Sequence, residues 1–397
     1  MKFYIPILIF VLSCSSTKES LFFEKMDTDI EKSFEKDDKS LEKFSVQEVI
    51  DPIVEKAPAE KVENTQVVEK ANKKVKGHKD NKDNKVANKN ERDKTKVATK
   101  QNPQKTTPKL DKKKSDLLSK VKSQVAQELQ EKKLQEKPLP EDYPKQFIEY
   151  DKKAEGVWDI FKPKVFLDEA HIFEVSYLGI TAGTIRIETR KPVKIADEPA
   201  YHFKVLLKSA DYYNYIYKLN DTLESYVRIR DFMPLKYKLV QRESGQEVDD
   251  LQVFDYETQK TTFWYRKLKK GKEKKEKKEK YIPHYFQDSF SGLQFVRGLP
   301  LKLGEKYQFP IVTRTKVWIM TLEIVNTLDK ITVAGQTFSA IKIKAETHFP
   351  GVLKKRGDII FWFSNDEYRR LLKFEAKIKI GSVKGHLVKY EKGKGLQ

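Results

Sequence analysis

Apolar and charged positions alternate near the C-terminal end of the chain, within residues 361–391. Lysines and a glutamate separate the apolar members of this set, which are Leu372, Phe374, Ala376, Ile378 and Ile380. A period of two places the apolar side chains on one face of a strand and the charged side chains on the other. The pattern predicts an antiparallel strand with one face on a core and one in water. A turn at residues 364–366 precedes this strand, and Gly381 ends it.

The same alternation recurs upstream, from Phe173 onward. We predict strands around residues 173–177, 185–187, 201–207, 223–229, 235–241, 251–256, 261–266, 307–311, 318–324, 331–333 and 341–345. Turn residues separate these strands, with one turn assigned to Asp329 and Lys330. Short strands at regular spacing are typical of an all-β domain.

One segment has helical rather than strand spacing. Asp288 is suited to an N-cap, Phe290, Leu293 and Arg297 follow at helical intervals, and Gly298 is suited to end the helix. We predict a short helix that begins at Asp288 and ends at Arg297. The predicted fold is therefore mainly β, a curved antiparallel sheet forming an open β-barrel over this one short helix.

The N-terminal residues predict an exported, lipid-anchored protein. An apolar run at residues 3–12 is too short to span a bilayer but suits a signal peptide. The sequence VLSC at 11–14 resembles the bacterial lipobox, which implies cleavage after residue 13 and acylation of Cys14, the only cysteine in the chain. Several acyl chains on Cys14 would anchor the protein stably in a membrane. Ser15 follows Cys14, and this residue favours the outer membrane, facing the periplasm.

Residues 14–142 are predicted to be a disordered tether. Lys, Glu, Asn, Asp and Gln dominate this segment, and no aromatic residue occurs between Phe44 and Tyr143. Such a composition buries too little apolar surface to offset the entropy of ordering. A thin apolar stripe predicts one helix at residues 115–137. The β-rich domain is assigned to residues 143–397.

The formal net charge of +20 raises the question of a nucleic-acid partner. The exported location argues against that partner, and we expect none. Much of the charge lies in the tether and in a lysine-rich block at residues 267–280, which we predict to be a hairpin loop. Two interpretations of this block remain open: a solvated loop that keeps its neighbours soluble, or a contact with anionic lipid, lipopolysaccharide or cell-wall polymer.

Dispersed motifs in the predicted β-domain resemble one bacterial family. They comprise Tyr177, Gly179, Ala182, Gly183, Asp288, Ser289, Leu293, Arg297, Gly304, the AGQTF turn at 334–338, Trp362, Asp366, Arg370, Gly381 and Ser382. Together they are similar to the family called domain of unknown function 3108, over roughly residues 173–390. The resemblance implies an exported protein with a fold similar to the open β-barrel of the Lol-type lipoprotein carriers. It implies no enzymatic role.

Catalytic motifs do not emerge from the sequence. Its histidines are scattered without metal-ligand spacing, no nucleophile elbow or phosphate-binding loop occurs, and a second cysteine is lacking. Asp288 with Arg297, or Asp366 with Arg369, could act as an acid and its modulator, but caps, turns and ion pairs are the simpler roles. We therefore expect a non-enzyme with no cofactor and no metal site.

Two classes of function remain. In the first, a binding module holds lipid or a lipidated cell-envelope ligand on the concave face of the sheet. The residues predicted either to line that site or to form simple core are Trp318, Met320, Phe361, Phe363, Phe290 and Leu293. In the second, an adaptor lipoprotein tethers a rigid β-domain near the cell wall or beside a membrane complex.

Overall fold

The computed structural model describes residues 30, 34, 38–48, 139–213, 217–348, 355–378 and 381–395. Residues 38–48 and the chain from Glu141 onward belong to one compact unit. Three sequence predictions lie outside the described residues: the signal peptide at 1–13, the acylated Cys14 and the helix at 115–137.

Strands dominate the described part of the chain. The α-helices are α1 (Lys145–Asp159) and α2 (Ser291–Gly298), and 3-10 helices occupy Lys39–Phe44 and Asp211–Tyr213. The strands are β1 (Gln47–Glu48), β2 (Phe166–Leu167), β3 (Ala170–Tyr177), β4 (Ile180–Ile195), β5 (Glu198–Ser209), β6 (Leu219–Arg228), β7 (Pro234–Glu243), β8 (Gln246–Asp255), β9 (Lys260–Lys269), β10 (Lys272–Tyr281), β11 (Gln287–Asp288), β12 (Lys306–Thr313), β13 (Lys316–Val333), β14 (Gln336–His348), β15 (Lys355–Ser364), β16 (Leu371–Lys377), β17 (Ser382–Glu391) and β18 (Lys394–Gly395).

Two meanders form one large sheet. The N-terminal meander, β3 to β10, and the C-terminal meander, β12 to β17, meet where β17 pairs antiparallel with β3. The strand order is β10-β9-β8-β7-β6-β5-β4-β3-β17-β16-β15-β14-β13-β12-β11, and β1 pairs with β4. Every pair in this order is antiparallel except β11 with β12, so the sheet is mixed. The predicted mainly-β fold, an open curved sheet, is confirmed.

The curvature of the sheet brings strands that are distant in its order into contact. Arg314, in the β12–β13 turn, donates from Nε to the Asp250 carboxylate of β8 at 2.8 Å, and its backbone N–H donates to Gln252 Oε1 at 2.9 Å. Register shifts within several strand pairs increase the local twist, which allows the sheet to curl. Between β10 and β12 no strand pairing closes the sheet among the described residues.

Helix α2 lies inside the curved sheet, as predicted for a helix in this segment. It starts at Ser291 with Phe290 at the N-cap, which corrects the predicted start at Asp288. The Asp288 carboxylate instead accepts hydrogen bonds from the backbone N–H groups of Phe290 and Ser291, both at 2.7 Å. The helix ends at Gly298. A Cβ atom at that position would lie 2.3 Å from the Phe161 ring and 2.5 Å from the Lys162 carbonyl oxygen, so only glycine permits this close packing.

Helix α1 was not predicted and corrects the expectation of a single helix. Its apolar residues Phe147, Tyr150, Ala154 and Val157 have helical spacing, and Pro144 stands at its N-cap. Phe147, Ala154 and Val157 are buried. The helix packs along β12, and the backbone N–H of Tyr285 donates to the Asp151 carboxylate at 3.0 Å. Helix α1 therefore covers the side on which the sheet is open.

Residues 38–48, which we call the strap, correct part of the predicted tether. The strap consists of the 3-10 helix and β1, and it lies on the outer face of the N-terminal meander. Leu41 and Phe44 are buried there, and the buried Lys236 Nζ donates to the Phe44 carbonyl at 2.7 Å. The two side chains pack with an outer cluster formed by Phe34, Val193, Ile195, Ala200, Tyr226, Leu235, Leu251, Val253 and Trp264.

The lysine-rich block is a strand pair rather than the predicted loop. Strands β9 and β10 pair over their full length around a turn at Lys270 and Gly271, where both residues have positive φ. Cross-strand ion pairs join Arg266 to Glu273 at 2.7 Å and Lys260 to Glu279 at 2.8 Å. Backbone pairing to β9 and these ion pairs hold β10 in the sheet without an apolar face of its own.

The predicted turn at residues 329–330 is also wrong. Strand β13 continues through it, and its pairing with β14 shifts register between Ile324 and Asp329. The Asp329 carboxylate accepts hydrogen bonds from the Asn326 amide at 2.5 Å and from Trp362 Nε1 at 2.8 Å. The polar residues that suggested a turn therefore form a bulge within one long strand.

Candidate binding site

A cleft opens at the side where α1 covers the sheet, and we call it the seam cleft. Its volume is about 590 Å³, and it lies between the start of α1, the β9–β10 hairpin and the β12–β13 turn. The lining residues are Asp142, Pro144, Gln146, Phe147, Tyr150, Lys260, Glu279, Lys280, Tyr281, Thr315, Lys316 and Val317. The volume is within the range of small-ligand sites.

One wall of the seam cleft is apolar and is formed by residues of α1 and of the start of β13. Phe147 and Tyr150 project from successive turns of α1, with ring centroids 6.0 Å apart. Val317, at the start of β13, contributes an aliphatic side chain that is also part of the main core. Phe147 and Val317 are buried, while Tyr150 is half-buried. The wall is therefore fixed by the core behind it and still presents apolar surface to the cleft.

The rim of the seam cleft is charged. Lys260 forms an ion pair with Glu279 and lies 5.2 Å from the centroid of the Tyr281 ring. The hydrogen bond that Lys260 donates to the Glu279 carboxylate raises the pKa of this amine above its ordinary value, which favours its protonated form. Lys280 and Lys316 are exposed on the same rim. The cleft therefore offers apolar contact beside ammonium groups, the combination that an amphiphile with an anionic head requires.

Aromatic rings fill the interior of the sheet around α2. The Phe295 ring lies 4.2 Å from Phe161, 4.3 Å from Trp158 and 5.1 Å from Phe309, measured between centroids. Phe232 contacts the same group at 4.8 Å from Phe161. These close contacts place the rings around α2 in the core of the fold.

The six residues predicted as ligand lining or core fall into two groups. Phe290 and Phe363 are buried in the main core, with exposed fractions of 8% and 0%. Leu293, Trp318, Met320 and Phe361 are half-buried and pack against that core. Trp318 and Met320 share the face of β13 whose cross-strand partners in β12 are Ile311 and Phe309. The second group keeps some accessible apolar surface, whereas the first group does not.

The motif residue Arg297 pairs with a carboxylate that the sequence did not indicate. Its guanidinium contacts both carboxylate oxygens of Glu169, at 2.7 and 3.0 Å, and both side chains are buried. It also donates to the carbonyl oxygens of Tyr368 and Arg369, at 2.9 and 3.1 Å. Asp288 is not its partner. Arg297 thus joins α2 to the start of β3 and to the loop that contains Asp366, and we assign it a structural role.

The surroundings of Glu169 keep a neighbouring histidine neutral. Burial lowers the pKa of His171 to about 4, although the Glu169 carboxylate opposes that shift. Tyr390 donates its hydroxyl proton to Glu169 at 2.9 Å. The second suggested acid pair also changes, because Asp366 bonds to Arg370 at 2.9 Å rather than to the Arg369 side chain. These groups hold one another in place and do not face the seam cleft.

Two further buried carboxyl groups, those of Asp250 and Asp221, lie on the inner face of the N-terminal meander. Burial raises the pKa of Asp250 to about 6, although the Arg314 guanidinium lowers it. Burial also raises the pKa of Asp221 to about 7, although Gln241 donates a hydrogen bond to its carboxylate at 3.1 Å. Both carboxyls are therefore within their titration range near neutral pH, which makes them relevant to stability.

Among the described residues, no group of three His, Cys, Asp or Glu side chains is arranged to hold a metal ion. In the same part of the chain, no helix is both long enough and apolar enough to cross a bilayer.

Comparison with known proteins decides the family. A family model described as "Protein of unknown function (DUF3108)" matches residues 172–388, more than half of the chain. The chain belongs to the DUF3108 family. The match begins inside β3 and ends inside β17, so the family region comprises both meanders and α2 but leaves out the strap and α1.

Solved structures give weaker similarities. A β-barrel-like protein of domain of unknown function DUF1849 from Brucella abortus is 10% identical with a TM-score of 0.37, over 58% of this chain and 99% of that chain. A protein described as a "putative lipoprotein" from Parabacteroides distasonis is 12% identical with a TM-score of 0.24, over 58% of this chain and 98% of that chain. No curated protein matches the chain. The family assignment rests on the family model.

Proposed function

We propose that this DUF3108 protein is a non-enzymatic cell-envelope lipoprotein that binds an amphiphile with an anionic head in the seam cleft. The observation that carries the proposal is the cleft itself, in which the apolar wall of Phe147, Tyr150 and Val317 lies beside a rim with Lys280 and Lys316. The ligand's acyl chain packs on the wall, and its head contacts the amines.

The location within the proposal comes from the N-terminal sequence. The apolar run at residues 3–12, with the lone Cys14 two positions after its end, supports signal-peptide cleavage before Cys14 and acylation of that residue. Acylation would place the domain at a membrane, and Ser15 favours the outer membrane facing the periplasm. A membrane is also the source of the amphiphile that the cleft is proposed to accept.

The binding test uses a phosphatidylglycerol with a photoreactive group at the end of its acyl chain. After illumination of the full acylated protein in vesicles, mass spectrometry identifies the crosslinked peptides. We expect crosslinks in α1 and at the start of β13, and a severalfold loss of yield in Tyr150→Ala with Lys280→Glu. Tyr212→Ala, which removes an exposed tyrosine away from the cleft, is the matched control.

Crosslinks at other sites would contradict this assignment. Labelling at Trp318, Met320 or Phe361 in place of α1 would move the site to the concave face that the sequence predicted. Labelling that is unchanged in the double variant would mean that the cleft does not hold the acyl chain.

The adaptor role is the second candidate, and the aromatic packing around Phe295 favours it. A β-domain with densely packed aromatic rings in its core is suited to present a rigid outer surface to a partner. An absence of lipid crosslinks, together with recovery of one protein partner by chemical crosslinking in cells, would favour this role over ligand binding.

A further inference from the structure

The strap fixes where the chain from the N-terminus joins the domain. Leu41 is 1% exposed and Phe44 is 5% exposed in the outer cluster, and Gln47 and Glu48 pair with Lys194 and Val193 of β4. These contacts make residues 38–48 part of the folded unit. Any membrane anchor at Cys14 is thus connected to the domain through the residues before the strap, rather than through the whole predicted tether.

The shorter connection changes the reach of the domain. Asp38 lies only 24 positions after Cys14, whereas Tyr143 lies 129 positions after it. Fully extended, the first segment spans at most about 80 Å and the second about 430 Å. The strap therefore keeps the domain within about 80 Å of the membrane that holds Cys14, and coiling of the connection brings it closer.

The strap begins beside the lysine-rich hairpin. Asp38, the first strap residue, forms an ion pair with Lys277 of β10 at 2.5 Å. Lys277 also lies 5.7 Å from the centroid of the Trp264 ring, which is part of the outer cluster under the strap. The start of the strap and the middle of β10 are in direct contact.

Strand β10 presents a dense positive charge at the edge of the sheet. It contains six lysines and three glutamates in ten residues, and almost all of its side chains are exposed. Neighbouring cations engage the glutamates: Arg266 pairs with Glu273, Lys274 and Lys278 pair with Glu276, and Lys260 pairs with Glu279. Lysines on an edge strand also discourage aggregation, but that role does not depend on the position of the membrane anchor.

We propose that the β9–β10 hairpin docks on the anionic lipid surface in which the chain's own acyl anchor is inserted. This inference rests on the proposed acylation of Cys14 and does not depend on ligand binding in the seam cleft. Each lysine close to an anionic surface adds to the attraction, and an acyl anchor combined with a polybasic surface is a two-signal mode of membrane attachment. Because the strap keeps the domain close to the anchored membrane, the lysines of the hairpin can reach its headgroups.

The test measures the distance of the hairpin from the lipid headgroups in the full acylated chain. Because acylation consumes the Cys14 thiol, a donor dye on Lys272→Cys reports the hairpin alone, and acceptor dyes are placed on lipid headgroups. We expect efficient energy transfer in vesicles that contain phosphatidylglycerol, and about twofold less in pure phosphatidylcholine or at high salt. Lys384→Cys on β17, eight positions away in the strand order, should show no such dependence.

Charge variants separate docking from simple tethering. Replacing Lys269, Lys270, Lys274 and Lys275 with glutamine should lower the transfer at position 272 to its value in phosphatidylcholine. The matched control replaces four exposed lysines of the other part of the sheet with glutamine, namely Lys302, Lys306, Lys330 and Lys389. It should leave the transfer unchanged.

Four results would overturn the inference. Equal transfer in both lipids, or an equal loss in the two charge variants, would mean that the hairpin does not recognise the lipid surface. Binding of the hairpin to isolated cell-wall polymer, with no lipid dependence, would assign the charge to that polymer. A full chain that fails to remain on any vesicle would contradict the acyl anchor itself, and the docking proposal with it.

Discussion

The two meanders of the sheet differ in how far their outer faces are buried. In β6, β7 and β8 of the N-terminal meander, long runs of consecutive residues are buried, so both faces are covered. In β16 and β17 of the C-terminal meander, buried and accessible residues alternate, so only the inner face is covered. The same kind of amphipathic sequence therefore yields two different environments.

The strap accounts for much of this difference. It covers the outer apolar residues of the N-terminal meander, and next to it Lys236 is only 1% exposed. Further along the same face, buried Glu224 pairs with Lys204 at 3.2 Å and with Lys238 at 3.3 Å. Charged side chains that would be solvated on an open sheet are thus paired or bonded to backbone. Whether the polar face of a strand is solvent-exposed therefore depends on whether a second layer such as the strap covers it, and not on the strand's own sequence pattern.

The largest expected effect is at the junction of the two meanders. Arg297→Ala removes the partner of buried Glu169 and should lower the free energy of unfolding by about 3–5 kcal/mol. Urea denaturation of the purified protein measures this change. Arg190→Ala is the control, since Arg190 is half exposed in its pair with Glu188 and should cost less than about 1 kcal/mol. Equal losses in the two variants would contradict the structural role of Arg297.

The next largest loss of stability is expected for a substitution in the strap. Leu41→Ala should destabilise the protein by about 2–5 kcal/mol, because a fully buried leucine loses its contacts in the outer cluster. Val388→Ala, at an exposed position of the C-terminal meander, should change stability by less than about 0.5 kcal/mol. Thermal or urea unfolding of both variants compares the two outer faces. A neutral Leu41→Ala would mean that the strap is not part of the folded unit.

A smaller effect is expected at Leu293 on α2. The side chain is half-buried, so Leu293→Ala should cost about 1–2 kcal/mol, less than a fully buried leucine. Phe295→Ala on the same helix serves as the comparison and should cost about 3–5 kcal/mol, because that ring is fully buried. If urea unfolding reverses the order of these two variants, the orientation of α2 is wrong.

The last effect is a pH dependence of the N-terminal meander. The pKa of Asp221 is raised from 3.8 to about 7 in the folded state. Its contribution to stability is therefore full below pH 4 and is lost as the pH rises through about 7. Asp221→Asn should gain about 1.4 kcal/mol of stability relative to the wild type for each pH unit between pH 4 and pH 7, because over this range the wild-type carboxyl binds its proton only in the folded state. A difference between the two proteins that stays constant over this range would contradict the raised pKa.

Sequence patterns predicted most of the fold where one face of a strand meets water. The alternation around Phe374 identified β16 because its outer residues are solvated. Phe147, Tyr150 and Ala154 have helical spacing as well, but no element was predicted for their segment. The strap could not be inferred in this way, since Leu41 and Phe44 are isolated apolar residues among charges and gain their burial from a distant face.

The candidate site was less accessible to sequence reasoning. The seam cleft is built from α1, for which no element was predicted, and from β10, which was predicted to be part of a loop, so their approach to Val317 was not foreseen. Glu169 is 128 positions from Arg297, and no local pattern connects the two. Local periodicity predicts elements, whereas contacts between distant elements depend on how the sheet curls.

The central claim is that the protein carries an amphiphile in the seam cleft, and its lipid content tests this most directly. Mass spectrometry of an organic extract of the purified protein measures non-covalent lipid per chain. We predict an anionic lipid in near-stoichiometric amount in the wild type and in Tyr212→Ala, and a severalfold loss in Tyr150→Ala with Lys280→Glu. A folded wild-type protein that yields no lipid, or a double variant that retains the wild-type amount, would contradict the account.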